Sequence, residues 1–151
     1  MASLIYLDTH VAAWLYAGTI DLIPAVVRAK IEDNDLLISP AVALELQYLF
    51  EIRRTTDPAR FVLDTLETEI GLKVCDLPFA AVSEVAFSQS WTRDPFDRLI
   101  VSQALLRNTP LLTRDRTIRA HCSLAVWDME LESTGEAYSS SGPEPPNSAA
   151  M

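Results

Sequence analysis

Short apolar runs alternate with segments of helical spacing along most of the chain. Strands that alternate with helices in this way predict a mostly parallel central sheet of four to five strands, covered by helices on both faces. Four runs have the length and composition of buried strands, and a further run is a candidate for a fifth. They are LIYL at 4–7, LLIS at 36–39, LKVC at 72–75 and PLLT at 110–113, with LAVW at 124–127 as the fifth.

The predicted helices occupy the intervals between these runs. His10 to Ala17 shows apolar residues at helical spacing, and Ile23 to Glu32 follows with a proline near its start. Proline is favoured in the first turn of a helix, directly after a capping residue. Three later helices share this cap-and-proline signal, and a fourth starts at a proline alone. They run from Ser39-Pro40 to about 53, from Asp57-Pro58 to about 69, from Asp94-Pro95 to about 107, and from Pro78 to about 88.

Composition and charge narrow the range of functions. With 151 residues, 49% hydrophobic and 22% charged, the chain suits one compact domain, which we assign to residues 1–132. Residues 133–151 are rich in serine and proline, with little to bury, and are predicted to be a disordered tail. The net charge of -9 disfavours non-specific nucleic-acid binding. Any such role must therefore rest on a local basic patch or on metal ions.

The cysteines and the N-terminus indicate a cytoplasmic protein. Cys75 and Cys122 are too few for a disulfide framework and lack metal-site spacing, so both are predicted to be reduced and buried. The N-terminus has no basic segment and Asp8 interrupts its apolar run, which argues against a signal peptide. No apolar stretch is long enough to span a membrane, so no membrane association is expected.

Acidic residues recur where strands end and helices begin. Asp8 follows the first strand, Asp115 comes shortly after the fourth, and Glu45 is the only charged residue between positions 36 and 50. Asp94 and Asp97 open the helix before the fourth strand. In open α/β sheets, ligands bind beyond the carboxyl ends of the strands. Carboxylates that converge there repel one another unless a cation such as Mg²⁺ or Mn²⁺ joins them. Such a site activates water against a phosphodiester.

Each acid taken alone has a simpler explanation. Asp8 is equally typical of a helix cap, and Asp115 of a turn. Asp94 suits the N-cap position before Pro95, and Asp97 then falls in the first turn, where a carboxylate suits the helix dipole. Glu45 is as typical of a partly exposed or paired helix residue. Their joint position at one edge of the sheet is what favours a site.

Together these segments resemble the PIN-domain ribonucleases, in particular the VapC-type toxins of prokaryotic toxin–antitoxin pairs. The matching pieces are LIYLDTHVAAWL, ISPAVALELQYL, RDPFDRLIVSQAL and PLLTRDRTI, in the family's order over about residues 4–120. The resemblance implies a PIN-like three-layer α/β/α sandwich and metal-dependent RNA hydrolysis that leaves a 5′-phosphate and a 3′-hydroxyl. It also implies a homodimer, and an antitoxin partner whose C-terminal segment covers the acidic groove.

The resemblance also assigns roles to residues. It implies that Asp8, Glu45, Asp97 and Asp115 surround Mg²⁺ or Mn²⁺ and form the catalytic site. The family's third acid precedes a pattern like DRLIVSQA, which selects Asp97 and leaves Asp94 as a cap, an alternative ligand or a group that supports one. Thr9 and Thr113 are then candidates for hydrogen bonds to ligands or water.

Arginines near these acids offer a route to RNA. Segment 91–120 contains six arginines against three aspartates, in a chain that is acidic overall. Guanidinium groups match phosphate oxygens, so Arg93, Arg114 and Arg116 are candidate RNA-binding residues. A solvated helix face with local ion pairs explains the same pattern, and Arg98 can pair with Asp94 one helical turn away.

Aromatic residues near the site are ambiguous. Trp91 suits either base stacking or the core. His10 and His121 are interpreted as structural or peripheral, with His10 at the rim of the site.

Two other functions stay open. The sequence LDTH after a strand is loosely similar to aspartate-nucleophile phosphatases, although His10 stands where those enzymes have a second aspartate. The other alternative is a non-catalytic PIN-like module that binds metal, RNA or a partner through the same acids.

Overall fold

A central sheet of five parallel strands organises the protein, whose computed structural model describes residues 3–128. The strand order is β3-β2-β1-β4-β5, so the first strand is in the middle. This confirms the predicted α/β class and the mostly parallel sheet. The strands are β1 Leu4–Leu7, β2 Asp35–Ile38, β3 Lys73–Val74, β4 Leu111–Leu112 and β5 Ala125–Val126.

Seven helices connect and cover the strands within the described residues. Crossovers between parallel strands are right-handed as a rule, so this strand order implies that the helices after β1 and β2 cover one face and those between β3 and β4 the other. The helices are α1 Thr9–Ala17, α2 Ala25–Asp33, α3 Pro40–Glu51, α4 Ala59–Ile70, α5 Phe79–Ala86, α6 Pro95–Arg107 and α7 Arg116–His121, with a short 3₁₀ turn at Ile20–Leu22.

The core lies on both sides of the middle strands. Leu7, Leu111 and Leu112 have no exposed surface, because helices cover both faces of β1 and β4. Strands buried on both faces read as continuous apolar runs, which is why the sequence identified them. Helix α6 is central as well, since its residues 100–104 are all buried.

The strand order reverses between β1 and β4. The chain moves outward from β1 to β2 and β3, then returns past β1 to β4 and β5. Tyr6 is in register with Leu37 on one side and Leu111 on the other. A crevice forms beyond the carboxyl ends of strands at such a switch point, and the residues after β1 and β4 line it.

A small polar cluster is buried beneath α6. The Tyr6 hydroxyl donates to Cys75 Sγ at 3.0 Å. Arg107 donates through Nε to the Tyr6 hydroxyl at 3.0 Å and through Nη2 to Cys75 Sγ at 3.3 Å. Cys75 and Cys122 are both free and buried, as predicted. The Cys75 cluster ties the end of β3 to β1 and α6.

Local sequence signals predicted most helix boundaries, but they missed two short elements and gave one wrong cap. The structure adds α7 and the 3₁₀ turn, which the sequence did not predict. Asp57 was expected to cap α4 and does not. Its carboxylate accepts from the Tyr16 hydroxyl at 2.6 Å, while Gln47 Oε1 accepts from the Ala59 N–H. A partner from α1 therefore outcompeted the local cap.

Two further expectations concern membrane-spanning helices and the C-terminal tail. Between residues 3 and 128, no helix combines the length and apolar character needed to cross a bilayer. The boundary at residue 132 and the disordered tail at 133–151 lie outside the described residues and stay predictions.

Candidate active site

Asp8 lies at the switch point, directly after β1. Its backbone N–H donates to Leu112 O at 2.9 Å, which continues the pairing with β4. The carboxylate is 4% exposed, with Oδ1 accepting from the Thr9 N–H at 2.8 Å and Oδ2 from the Thr113 hydroxyl at 2.6 Å. Asp8 therefore caps α1, as its simpler explanation held, and is also fixed in the crevice.

Asp115 faces the same crevice from the loop after β4. Its Oδ1 accepts from the N–H groups of Thr117 and Ile118 at 2.8 and 3.0 Å, so it caps α7. Its own N–H donates to the Thr113 hydroxyl at 3.0 Å. Because that hydroxyl also donates to Asp8, Thr113 links the two carboxylate-bearing loops.

Asp94 and Asp97 have different environments at the start of α6. Asp94 is exposed, and its Oδ1 accepts from the N–H groups of Phe96 and Asp97 at 2.8 and 3.2 Å. Asp97, one turn into the helix, is half-buried. Burial is the main reason that the pKa of Asp97 is raised to about 7, and four neighbouring acids add to the effect. These are Asp94, Asp8, Asp115 and Glu45, in decreasing order of contribution.

Glu45 reaches the site from α3, where it is half-buried. Burial raises the pKa of Glu45 above its usual value, and the negative charges of Asp8 and Asp94 raise it further. The nearby Thr9 hydroxyl counteracts part of this rise. Thr9 Oγ1 is itself buried and makes no hydrogen bond of ordinary geometry with the described residues.

The structure thus places the other four acids near enough to Asp97 for their charges to raise its pKa. Asp8 and Asp94 raise the pKa of Glu45 in the same way, so negative charge is concentrated around these two residues. The donors are carboxylate and hydroxyl oxygens, which suit a hard divalent cation. In residues 3–128, no three His, Cys, Asp or Glu side chains already stand together as a ligand set. The oxygen donors of these residues therefore fit such a cation. In this arrangement, however, the acidic side chains are not yet gathered around one point.

His10 lies beside Asp8 and is partly exposed, which agrees with the expected position at the rim of the site. Its Nδ1 is 3.4 Å from Asp8 Oδ2, and its Nε2 accepts from the Arg114 N–H at 3.0 Å. Burial lowers the pKa of His10, although the charges of Asp8 and Asp115 act in the opposite direction. The sequence offered one signal, which is that Trp14 lies four residues on and packs edge-to-face against this ring at 4.9 Å.

The candidate RNA-binding arginines are exposed around the acids. Arg114 lies over the Trp14 ring, with Cζ 5.9 Å from the ring centre. Arg93 donates to Ser90 O at 3.1 Å, and Arg116 begins α7. Their role in binding phosphate stays a prediction.

Trp91 and Arg98 contact other parts of the fold instead. Trp91 stacks on His121 with ring centres 5.1 Å apart and donates to Gln89 Oε1, so it belongs to the periphery of the core. Arg98 does not take up the suggested pairing with Asp94, because its Nε donates to Thr92 O at 2.9 Å. Both residues support the segment that leads into α6.

Comparison with known proteins agrees with this geometry. The PIN domain family model matches residues 5–124. Ribonuclease VapC22 of Mycobacterium tuberculosis (strain ATCC 25618 / H37Rv) is 32% identical over 119 residues, which cover 78% of this chain and 91% of the relative. The structure of VapBC2 from Rickettsia felis, bound to a promoter DNA fragment, has a similar fold, with a TM-score of 0.51 and 18% identity. The match covers 78% of this chain and 92% of that one. The chain therefore belongs to the PIN domain family.

Proposed function

We propose that the protein is a metal-dependent endoribonuclease and the toxin of a toxin–antitoxin pair. The observation that carries the proposal is the arrangement of acids at the switch point, where the Thr113 hydroxyl joins Asp8 to the loop of Asp115 and burial with four neighbouring acids raises the pKa of Asp97. A cluster of this kind is unfavourable for folding and is characteristic of functional sites. Membership of the PIN family and the relative's name, a ribonuclease, give the reaction class.

Asp8, Glu45, Asp97 and Asp115 would hold Mg²⁺ or Mn²⁺. When bound, such a cation supplies an activated water and neutralises charge on the phosphodiester that is cleaved. The chain's own contribution is orientation. Asp8 is fixed by two hydrogen bonds and Asp115 by its cap of α7, so both carboxylates are held before any ligand arrives. Because burial and neighbouring acids raise the pKa of Asp97, we expect cation binding to release a proton from this carboxyl group.

RNA would approach across the exposed arginines that surround the crevice. Arg114 and Arg116 flank Asp115 directly in sequence, and Arg93 precedes Asp94. These guanidinium groups can contact phosphates on either side of the scissile bond, which offsets the net charge of -9. Cleavage would leave a 5′-phosphate and a 3′-hydroxyl.

The proposed partners follow from the same assignment. A structural neighbour is a VapBC2 assembly, and by analogy we expect a small antitoxin to cover the acidic crevice. We also expect a homodimer that acts in the cytoplasm. Co-expression with the protein encoded next to this gene, followed by size-exclusion chromatography with light scattering, tests the partner and the dimer together.

The decisive experiment compares wild-type protein with Asp8→Asn and Asp97→Asn on total RNA. Activity should require Mg²⁺ or Mn²⁺ and disappear with EDTA and in both variants, while the far-ultraviolet spectra stay native. Asp64→Asn is the matched control, since Asp64 is exposed on α4 and its one ion pair among residues 3–128 is with Arg60 at 3.7 Å. Sequencing of 5′-phosphate ends would give the cleavage site.

Three results would overturn the proposal in different ways. Metal-dependent cleavage retained in both site variants would show that another site acts. Metal binding by calorimetry without cleavage of any RNA would favour the non-catalytic module. A phosphorylated aspartate trapped on Asp8 would favour the phosphatase.

A further inference from the structure

We propose that His10 is a positioning residue that locks the loop of residues 113–115 against Asp8. The inference rests on the proposed function for its effect on cleavage, but its geometric part stands independently. His10 is in α1 and Arg114 follows β4. The two residues are 104 positions apart in sequence. The ring therefore connects the two loops that meet at the switch point of the sheet.

The hydrogen bonds define which ring nitrogen carries the proton. Nε2 accepts the Arg114 N–H at 3.0 Å, so it has no hydrogen of its own. In a neutral imidazole the proton then lies on Nδ1, which faces Asp8 Oδ2 at 3.4 Å. One ring thus anchors the backbone of the loop and directs a donor at the carboxylate.

Aromatic packing holds the ring in this orientation. Trp14 meets it edge-to-face at 4.9 Å and Trp127 at 6.3 Å, and the two indoles are 6.1 Å apart. Trp127 is only 4% exposed, so this wall belongs to the core and does not move easily. The Arg114 side chain lies over the outer face of Trp14. Rotation of the imidazole would require displacement of these groups.

Beyond the backbone pairing of Asp8 with Leu112, two side-chain hydrogen bonds join these loops in the part of the chain that the structure describes. The Thr113 hydroxyl donates to Asp8 and accepts from the Asp115 N–H, which is one link. His10 supplies a second link, one residue further along, at Arg114. Two links prevent the loop from pivoting about Thr113. Asp115 therefore keeps a fixed position relative to Asp8, which is what shared binding of a cation demands.

Three variants separate the contributions of the ring. His10→Phe keeps the aromatic packing and removes both nitrogens. His10→Gln places an amide oxygen near the position of Nε2 and restores the acceptor for Arg114. His10→Asn reaches only the position of Nδ1. His121→Phe is the matched control, because His121 is exposed and stacks on Trp91 away from the acids.

The expected results concern kcat, Mn²⁺ affinity and ring protonation. His10→Phe should lower kcat and Mn²⁺ affinity by about 10- to 100-fold, with less change in KM for RNA. His10→Gln should recover most of this loss and His10→Asn less, since the 3.0 Å bond to Arg114 is the shorter contact. The control should match wild type. In the metal-free wild type, ¹⁵N shifts should identify Nδ1 as the protonated nitrogen.

Each readout can also refute the lock. Protonation of Nε2 in the wild type would overturn it without any variant. So would a folded His10→Phe protein with wild-type Mn²⁺ affinity and kcat, or full recovery by asparagine but not by glutamine. If the wild type cleaves no RNA, the proposed function fails, while the ¹⁵N shifts and Mn²⁺ titrations still decide the role of His10.

Discussion

Replacement of Asp97 by asparagine should stabilise the folded protein when divalent cations are absent, although it should abolish activity. Asparagine is nearly isosteric with aspartate and carries no charge. It removes one negative charge from the crevice, where Asp94, Asp8, Asp115 and Glu45 all disfavour ionisation of Asp97. The variant therefore relieves repulsion that the folded wild type must otherwise accommodate.

The sign and size of this effect follow from the pKa of Asp97. It rises from 3.8 to about 7 on folding, which corresponds to about 4 kcal/mol between the two protonation states. Below pH 3.8 the residue is protonated in both folded and unfolded chains, so it has no effect on stability. Between pH 3.8 and about 7 the unfolded chain loses its proton first, so stability falls as pH rises. Asp97 is half-buried and partly screened by water, so we expect the variant to gain about 1–2 kcal/mol above neutral pH.

Urea denaturation in EDTA, followed by circular dichroism, measures this gain. The advantage of Asp97→Asn should grow between pH 3.8 and about pH 7 and then level off. Asp64→Asn, on the exposed surface of α4, should show no comparable rise. Equal stability of wild type and Asp97→Asn at about pH 8 would refute the reasoning, and so would an advantage that does not change with pH.

Three further results test the assignments. Asp94→Asn should retain the cap of α6 and lose only part of the RNA cleavage rate, whereas Asp97→Asn loses nearly all. A greater loss with Asp94→Asn would mean that their roles are reversed. Adding Mg²⁺ in thermal melts should raise the Tm of wild type more than that of Asp97→Asn, and equal rises would mean that the ion binds elsewhere. Arg107→Met should lower the free energy of unfolding by about 1–3 kcal/mol, because the buried Tyr6 hydroxyl loses its donor and Cys75 Sγ loses one donor while it keeps the Tyr6 hydroxyl. An unchanged urea midpoint would contradict this.

The sequence predicted the middle of the sheet well because β1 and β4 are buried on both faces and therefore appear as continuous apolar runs. Helix α7 escaped detection for the opposite reason. Its six residues, RTIRAH, bury only Ile118 and show no apolar periodicity. The cap expected at Asp57 was wrong because its carboxylate accepts from Tyr16, which is 41 residues away and has no local signature.

The acids of the site have local sequence signals, whereas the contacts of His10 are long-range. The end of a strand is a local feature, so residues such as Asp8 and Asp115 could be placed at one edge from the sequence alone. The hydrogen bond of His10 with Arg114 and its contact with Asp8 depend on how β1 and β4 pair. Its contact with Arg114 joins residues 104 positions apart, and no pattern of spacing predicts such a pair. What remained beyond the sequence was therefore the support of the site, not its acids.

The acids divide further according to their relation to helix ends. Asp8, Asp94 and Asp115 precede α1, α6 and α7, and each accepts backbone N–H groups that those helices leave free. The helix N-termini thereby stabilise three carboxylates in a crowded crevice. Glu45 and Asp97 lie inside their helices instead, and burial raises the pKa of each. The capping and the functional explanations of these acids are thus complementary. Capping by Asp8, Asp94 and Asp115 lets the fold tolerate the cluster, and the remaining charge on Glu45 and Asp97 favours a bound cation.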